Sequence, residues 1–365
     1  ENDGAADPSF TAADIATSAD GAQSVFVADL DGDGDMDIVS ASYYDDAIAW
    51  YENNGAADPS WAAADIATSA DDPHSVHAAD MDGDGDMDIV SASYTDDAIA
   101  IYINNGAADP SWSASDIATN ADGAIFVSTA DMDNDGDMDI VSASSNDDAI
   151  AWYENTSITP SLPSWTAADI ATSADEAKSV FAADMDNDGD MDIVSASYND
   201  DAIAWYENNG AADPSFTAAD IATSADGAWD VFVADMDNDG DMDIVSASKN
   251  DAAIAWYEND GAADPSWTAA DIATSADGAR SVFVADIDND GDMDIVSASY
   301  NDDAIAWYEN DGAADPSWTA ADIATSADMA TSVFVADMDN DGDLDIVSAS
   351  QNDDAIAWYE NNGAA

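Results

Sequence analysis

Seven times along the chain the sequence writes Asp-x-Asp-x-Asp-Gly-Asp-x-Asp, with five carboxylates gathered around one glycine. The copies are Asp29, Asp31, Asp33, Asp35 and Asp37; Asp80, Asp82, Asp84, Asp86 and Asp88; Asp131, Asp133, Asp135, Asp137 and Asp139; Asp184, Asp186, Asp188, Asp190 and Asp192; Asp235, Asp237, Asp239, Asp241 and Asp243; Asp286, Asp288, Asp290, Asp292 and Asp294; and Asp337, Asp339, Asp341, Asp343 and Asp345. Carboxylates at positions 1, 3 and 5 around a glycine-enabled turn match the first half of an EF-hand loop, and hard oxygen donors on a flexible loop select Ca²⁺. The second half differs: an Asp at position 9 stands in place of the EF-hand Glu at position 12, and apolar strand-like runs flank the loop. With no Cys and only two His, zinc and copper have few ligands. One Ca²⁺ per loop, seven in all, is the expectation. A single Asp-Gly-Asp is an ordinary acidic turn, but seven complete copies are not. Two carboxylates about 4 Å apart repel by about 4 kcal/mol at an effective dielectric near 20, so an empty loop pushes itself open.

The elements that hold these loops follow from their spacing. The string ADxDxDGDxDIVSAS begins at Ala28, Ala79, Ala130, Ala183, Ala234, Ala285 and Ala336, at intervals of 51 residues with one of 53. The extra two residues fall between Thr156 and Pro163, where TSITPSLP replaces NGAADP, and predict a solvent loop. Each unit carries four short apolar runs, in the first copy SVFVAD, MDIVSAS, AIAWYEN and SWAAADIAT, here strands A to D. A period near 50 residues with four strands per unit reads as a β-propeller blade, and nothing supports helices. Strands A and B are nearly continuous Val, Ile, Phe and Ala, as expected where both sheet faces are covered, so they should form the inner part of each blade. Asn-Asn-Gly or Asn-Asp-Gly between C and D suits a tight hairpin. The fold class is therefore all-β: a seven-bladed propeller of antiparallel four-stranded blades, one domain over residues 1–365. The chain begins with a lone D strand at Ser9 to Thr17 and ends after a C strand, so its N-terminal strand should complete the seventh blade and close the ring.

At DMDNDGDMDIVSAS and DDAIAWYENNG the chain resembles the FG-GAP or VCBS repeat family, the seven-bladed propellers of integrin α-subunit heads and of fungal and bacterial lectins. The resemblance covers essentially the whole chain. It implies that positions 1, 3, 5 and 9 of each loop bind Ca²⁺ through side chains and position 7 through its backbone carbonyl. Adhesion heads, glycan-binding lectins and non-catalytic modules of large secreted proteins share this family, and some relatives carry lyase or dehydratase activity.

Two positions differ among otherwise repetitive copies. The residue two before the Val of strand A is Gln23, His74, Ile125, Lys178, Trp229, Arg280 and Thr331; the one after strand B is Tyr43, Tyr94, Ser145, Tyr198, Lys249, Tyr300 and Gln351. Both read as loop positions outside the core, on the face opposite the acidic loops. The chain's three cations, Lys178, Lys249 and Arg280, all occupy them in blades four to six, with Trp229, Tyr198 and Tyr300 alongside. Aromatic platforms beside cationic donors suit an anionic or neutral glycan or an acidic protein loop. Drifting loop positions are the plainer alternative. In blades two and three His77 and Ser128 replace the strand-A Phe and Ile101 the strand-C Trp, which reads as compensated core packing around a satisfied core histidine.

A net charge of −78, from 3 Lys and Arg against 81 Asp and Glu, repels polyanions and excludes nucleic acid and bare anionic membrane as partners. Even seven Ca²⁺ leave about −64, which suggests a marine or halophilic setting with strong ionic screening. No apolar run approaches the roughly 18 residues of a membrane span, and residue 1 falls inside a repeat, so the chain reads as an excised segment. Few histidines, no Cys and no serine in a nucleophile motif argue against an enzyme, and identical Asp pairs in every copy argue against a unique catalytic pair. The expectation is a Ca²⁺-stabilised extracellular binding or adhesion module, lectin-like in its use of the variable face. It would be part of a larger surface or secreted protein with a glycan or protein ligand. A structural spacer or assembly unit is the alternative.

Overall fold

The repeats fold as seven four-stranded antiparallel sheets, 28 strands numbered β1 to β28 in chain order, in a computed structural model that describes residues 8–157, 163–263 and 265–363. Most of the expected solvent insertion between blades three and four lies outside the described residues. In blade one, β2 (Ala22–Ala28), β3 (Asp37–Ser42), β4 (Ala47–Asn53) and β5 (Trp61–Ala67) pair in that order, with β2 on the central axis and β5 outermost. Strand A is thus innermost, as its apolar run implied. Among the described residues no helix is long and apolar enough to cross a membrane.

The β3 sequence Asp-Ile-Val-Ser-Ala-Ser is buried throughout because alternate residues face different blades. Val39, Ala41 and Trp50 pack on Val76, Ile89 and Tyr102 of blade two. Ile38, Ala49 and Tyr51 face the opposite way, into a cluster with Val347, Ile356 and Trp358 of blade seven. The outer strand, in contrast, is mostly Ala, Thr and Asp and mostly exposed.

The ring closes as the orphan strand predicts. β1 (Phe10–Ala16) pairs antiparallel with β28 (Ala355–Asn361), from Phe10 opposite Asn361 to Ala16 opposite Ile356, and completes the sheet of the seventh blade. Asn362 extends the seam by donating from its amide to the Ser9 carbonyl at 2.9 Å.

One element departs from the sequence reading. In every blade the register of strand A against strand B slips by one residue, and the slipped residue is Gln23, His74, Ile125, Lys178, Trp229, Arg280 or Thr331. These seven are β-bulges within the inner strand, not loop residues outside the core. A bulge leaves one residue unpaired and re-aims its side chain, here into the mouth of the central channel. Lys178 and Thr331 are each only 7% exposed, and Thr331 Oγ1 donates to the carbonyls of Ala22 and Ala349 at 3.0 and 3.1 Å. Thr331 is therefore a structural contact across the ring seam.

His77 has the packing and the partner expected of it, and it lines the central channel along with the strand-A phenylalanines. Its ring lies 4.3 Å from that of Phe26, its Nδ1 is 3.2 Å from Thr129 Oγ1, and burial pushes its pKa down to about 4, so it is neutral. In blade three Phe126 and Ser128 exchange the places that Ser and Phe hold in most inner strands, so an aromatic ring still lines the channel, one step nearer the mouth.

Candidate functional site

Both groups of candidate residues occupy the ends of the blades, and each end is assembled differently. At one end, position 1 of the acidic loop organises the turn. Asp29 Oδ1 accepts from the amides of Gly32 and Asp33 at 2.8 and 3.1 Å, and its Oδ2 accepts from Gly34 at 3.0 Å. Gly34 adopts φ 96°, where a side chain would be strained, which is why glycine holds position 6 in all copies. Asp31 and Asp33 each accept the amide two residues on, at 3.1 and 3.0 Å. Position 2 anchors the loop: Leu30, Met81, Met132, Met185, Met236, Ile287 and Met338 are all essentially fully buried.

Position 9 is a buried carboxylate. Asp37 is 1% exposed and accepts from the amides of Leu30 and Asn53 at 3.2 and 2.7 Å. Burial, only partly offset by these hydrogen bonds, pushes Asp37, Asp88, Asp139, Asp192, Asp243, Asp294 and Asp345 up to about 7. Position 3 is raised in every loop as well, first by burial and then by neighbouring carboxylates, and reaches about 6 at Asp288. Seven acidic groups bring ligand oxygens within 4.8 Å of one another: Asp29, Asp31 and Asp33 in blade one, and Asp80, Asp82 and Asp88 in blade two. Positions 1, 3, 5 and 9 thus supply clustered hard oxygens that suit a divalent cation such as Ca²⁺. Burial first, and neighbouring carboxylates second, disfavour the charged form at these positions.

The position-7 side chains are engaged elsewhere. Asp35 lies over Gly55, where a Cβ would collide with its carboxylate, and accepts from Asn340 Nδ2 of blade seven at 2.9 Å. The same latch from the preceding blade reaches Asp190, Asp241, Asp292 and Asp343. Asp86 and Asp137 lack that donor, because Gly32 and Gly83 stand where the other loops have Asn. A second set of struts spans all seven interfaces. Asn53, 1% exposed, donates to the carbonyl of Met36 in its own loop and to that of Met338 in the preceding blade, at 3.0 and 2.8 Å. Asn104, Asn155, Asn208, Asn259, Asn310 and Asn361 repeat the inter-blade bond. In the sequence these asparagines read only as hairpin residues.

At the other end, the ring brings together residues far apart in the chain. Trp229, on β18 (Ala228–Ala234), is the centre. Lys178 Nζ lies 5.0 Å and Lys249 Nζ 4.6 Å from its ring centroid, and the Arg280 guanidinium carbon 4.5 Å. Arg280 also stacks on Tyr300 at 3.6 Å, while Tyr198 meets Trp229 edge-on at 5.7 Å. All six candidate residues thus form one cluster. Burial lowers the pKa of each cation, Lys249 to about 8 and Arg280 to about 10; for Lys249, Arg280 and Lys178 add repulsion. The opposite wall of the funnel is aromatic: Tyr43 packs edge-on to Tyr44 at 4.4 Å, and His74 lies 5.6 Å from Tyr94. Together the walls enclose about 320 Å³.

Three further residues of this end escape the sequence reading. Glu176 pairs with Lys178 at 2.9 Å, and Asp72 with His74 Nε2 at 3.1 Å; both acids adopt positive φ where four other blades have Gly. Asp230 sits beneath Trp229, accepting from Ser179 Oγ at 2.7 Å and from the amides of Val231 and Val282 at 3.0 Å; burial pushes it up to about 6. All three depart from the residue usual at their repeat position, and that departure is the signal by which the sequence marks them.

Fold and acidic loops together define a seven-bladed propeller built from acidic-loop repeats. The family model for the FG-GAP-like repeat matches residues 29–91, 80–142, 131–195, 184–246, 235–297 and 286–348, and the chain belongs to that family. Among solved structures it is similar to an Agrocybe aegerita lectin described as specifically recognising non-reducing terminal N-acetylglucosamine, at 19% identity and TM-score 0.57, over 82% of this chain and 80% of the lectin. It is also similar to BBS1N in complex with ARL6DN, in mercury- and lead-soaked crystals, at 13% and 11% identity and TM-scores of 0.60 and 0.59, over 97% of each chain. At such identities the likeness is one of fold. A search of curated proteins finds no match.

Proposed function

We propose that the chain is a calcium-loaded extracellular binding module, lectin-like, that takes a glycan at the mouth opposite its acidic loops. The observation that carries this reading is the convergence of all three cations of a −78 chain on one tryptophan. A wholly structural spacer needs no such cluster. The glycan-binding neighbour and the aromatic walls support a sugar ligand. The acidic loops are the scaffold's part. Ca²⁺ held by positions 1, 3, 5 and 9 neutralises carboxylates that otherwise repel. It also stiffens loops tied by the Asn struts to their neighbours, so the mouth is held in one shape before ligand arrives. The excess of acids fits an extracellular, saline setting, and the module would serve a larger surface or secreted protein.

The test is a glycan and matrix-protein array probed with the intact chain, with and without Ca²⁺, and with Trp229→Ala. A glycan signal that needs Ca²⁺ and falls at least about 30-fold in Trp229→Ala is expected, since central aromatic anchors cost 2 kcal/mol or more on truncation. A glycan signal indifferent to Trp229 would move the site off the mouth. Binding confined to proteins would replace the glycan with a protein ligand.

A further inference from the structure

We propose that the mouth around Trp229 selects one carboxylate on an otherwise neutral sugar, such as the terminal uronic-acid residue of a glycan, and rejects polyanions. This rests on the reading of the mouth as the ligand site.

The wall around Trp229 carries more cation than its own contacts absorb. Lys178, Lys249 and Arg280 meet Glu176 and Asp230 there, while a third carboxylate, Asp72, stands on the opposite wall against His74. Glu176 already binds Lys178, and both oxygens of Asp230 are taken by Ser179 and two backbone amides. Among the described residues Lys249 and Arg280 form no ion pair, and the buried Arg280 Nε has no hydrogen-bond partner. A buried guanidinium N–H left unmade is costly, and a carboxylate is the acceptor its geometry fits.

The repeat has also been altered beside this cluster in a direction that favours an anion. In the other six blades an Asp ends the turn between strands B and C and accepts from the amide that opens the next blade's inner strand. Blade five has Ala252 there, at φ 58°, facing the start of the strand that carries Arg280. A non-glycine residue at positive φ is strained, and Ala cannot accept the bond. The exchange sacrifices stability and removes one negative charge beside Arg280.

Size and surroundings limit the rest of the ligand. About 320 Å³ is at the small end of ligand pockets, and its aromatic walls suit the C–H faces of a sugar ring. Around the rim each of the seven turns entering strand A exposes an Asp, from Asp20 to Asp328. This acidic ring repels every further negative charge on a ligand, whether sulfated sugar or acidic peptide.

The experiment is calorimetric titration of the full chain in low-salt buffer with Ca²⁺, using methyl glucuronide, methyl glucoside, a sulfated heparin oligosaccharide and the blocked tripeptide Gly-Asp-Gly. Methyl glucuronide should bind at least about 30-fold more tightly than methyl glucoside and more tightly than the other two probes. Lys249→Met and Arg280→Gln should each erase most of that preference; Lys249 stands as the milder change should Arg280→Gln lower the melting temperature. Equal affinity for the two sugars, loss of which in Trp229→Ala still marks the mouth, would overturn charge selection and leave the site reading intact. Tightest binding of heparin or of the tripeptide would overturn the sugar-monoanion class. No binding by any probe overturns this proposal, and the site reading falls with it only if no array ligand depends on Trp229.

Discussion

At the loop end of the propeller every blade repeats the same five aspartates and the same buried Asn strut, whereas at the mouth the bulge position holds seven different residues. The two ends belong to the same strands, so the contrast cannot come from the backbone. At the loop end each side chain bonds within its own turn or to the adjacent blade, and the adjacent blade is always a copy. A residue that works in one place then works in all. At the mouth the side chains point toward the axis and meet one another. Seven copies of one residue there would crowd like groups into one funnel, so contacts across the axis require difference. Repetition marks scaffold, and the break in repetition marks the candidate site.

The largest effect expected from this contrast is on the loop end. Removing Ca²⁺ with EDTA in low salt should abolish the cooperative melt. At about 100 times its dissociation constant each ion would contribute about 2.7 kcal/mol, and seven exceed the 5–15 kcal/mol of an ordinary domain. The pH response has a defined sign. The position-9 carboxylates, at about 7 in the fold against an ordinary 3.8, hold protons that the unfolded chain has released. Their contribution to the calcium-free fold is therefore greatest below about pH 4 and is lost as pH rises through 7. Ca²⁺ binds the ionised form and should reverse that slope. Circular dichroism melts across pH with and without Ca²⁺ measure both effects, and a melting temperature unmoved by EDTA would remove the metal from the loops.

Next in size is the Asn strut. Asn53→Ala leaves the buried Met338 carbonyl without its donor, at a cost of about 1–3 kcal/mol, and frees the half-buried Met36 carbonyl at a smaller one. Asn208→Ala should cost the same within about 0.5 kcal/mol, because the loop end is equivalent from blade to blade. Urea denaturation in Ca²⁺ compares the two; clearly unequal costs would break the claim of a repeating scaffold.

A gain of stability is expected where the repetition is incomplete. Gly32 and Gly83 have φ of 74° and 75°, and nothing lies within 4 Å of the point where a Cβ would stand, while Asn occupies this position at φ near 60° in the other five loops. Gly32→Asn and Gly83→Asn should supply the missing latches to Asp86 and Asp137. Each should stabilise by about 0.5–1 kcal/mol, through a new hydrogen bond and a less flexible unfolded chain. A lowered melting temperature would show that these two interfaces differ in some further way.

A change in stability of similar size sharpens the contrast most. Ala252→Asp should restore the turn bond found in the other six blades and raise stability by about 0.5–1.5 kcal/mol. The same substitution should weaken glucuronide binding, since it returns a negative charge beside Arg280. Stability and affinity moving together, measured by melting and titration on one sample, would contradict that reading of the mouth.

Much of this was legible in the residues themselves. Strand period, the recurring acidic turn and the unmatched terminal strand depend on nearest-neighbour geometry, which a 51-residue repeat states seven times. The end of the blade that carries the variable residues follows from counting antiparallel strands. Only the closed ring decided the rest. Trp229, Lys178 and Arg280 are separated in sequence by about one repeat each, yet meet within about 5 Å because seven twisted sheets converge on one axis. The bulge that turns these side chains inward, the Asp35 carboxylate diverted to Asn340, and the reach of Asn53 to Met338 across the seam are contacts between blades. A linear pattern specifies what each blade presents. Distances between blades arise from packing the whole ring, and so does the assembly of the cationic cluster.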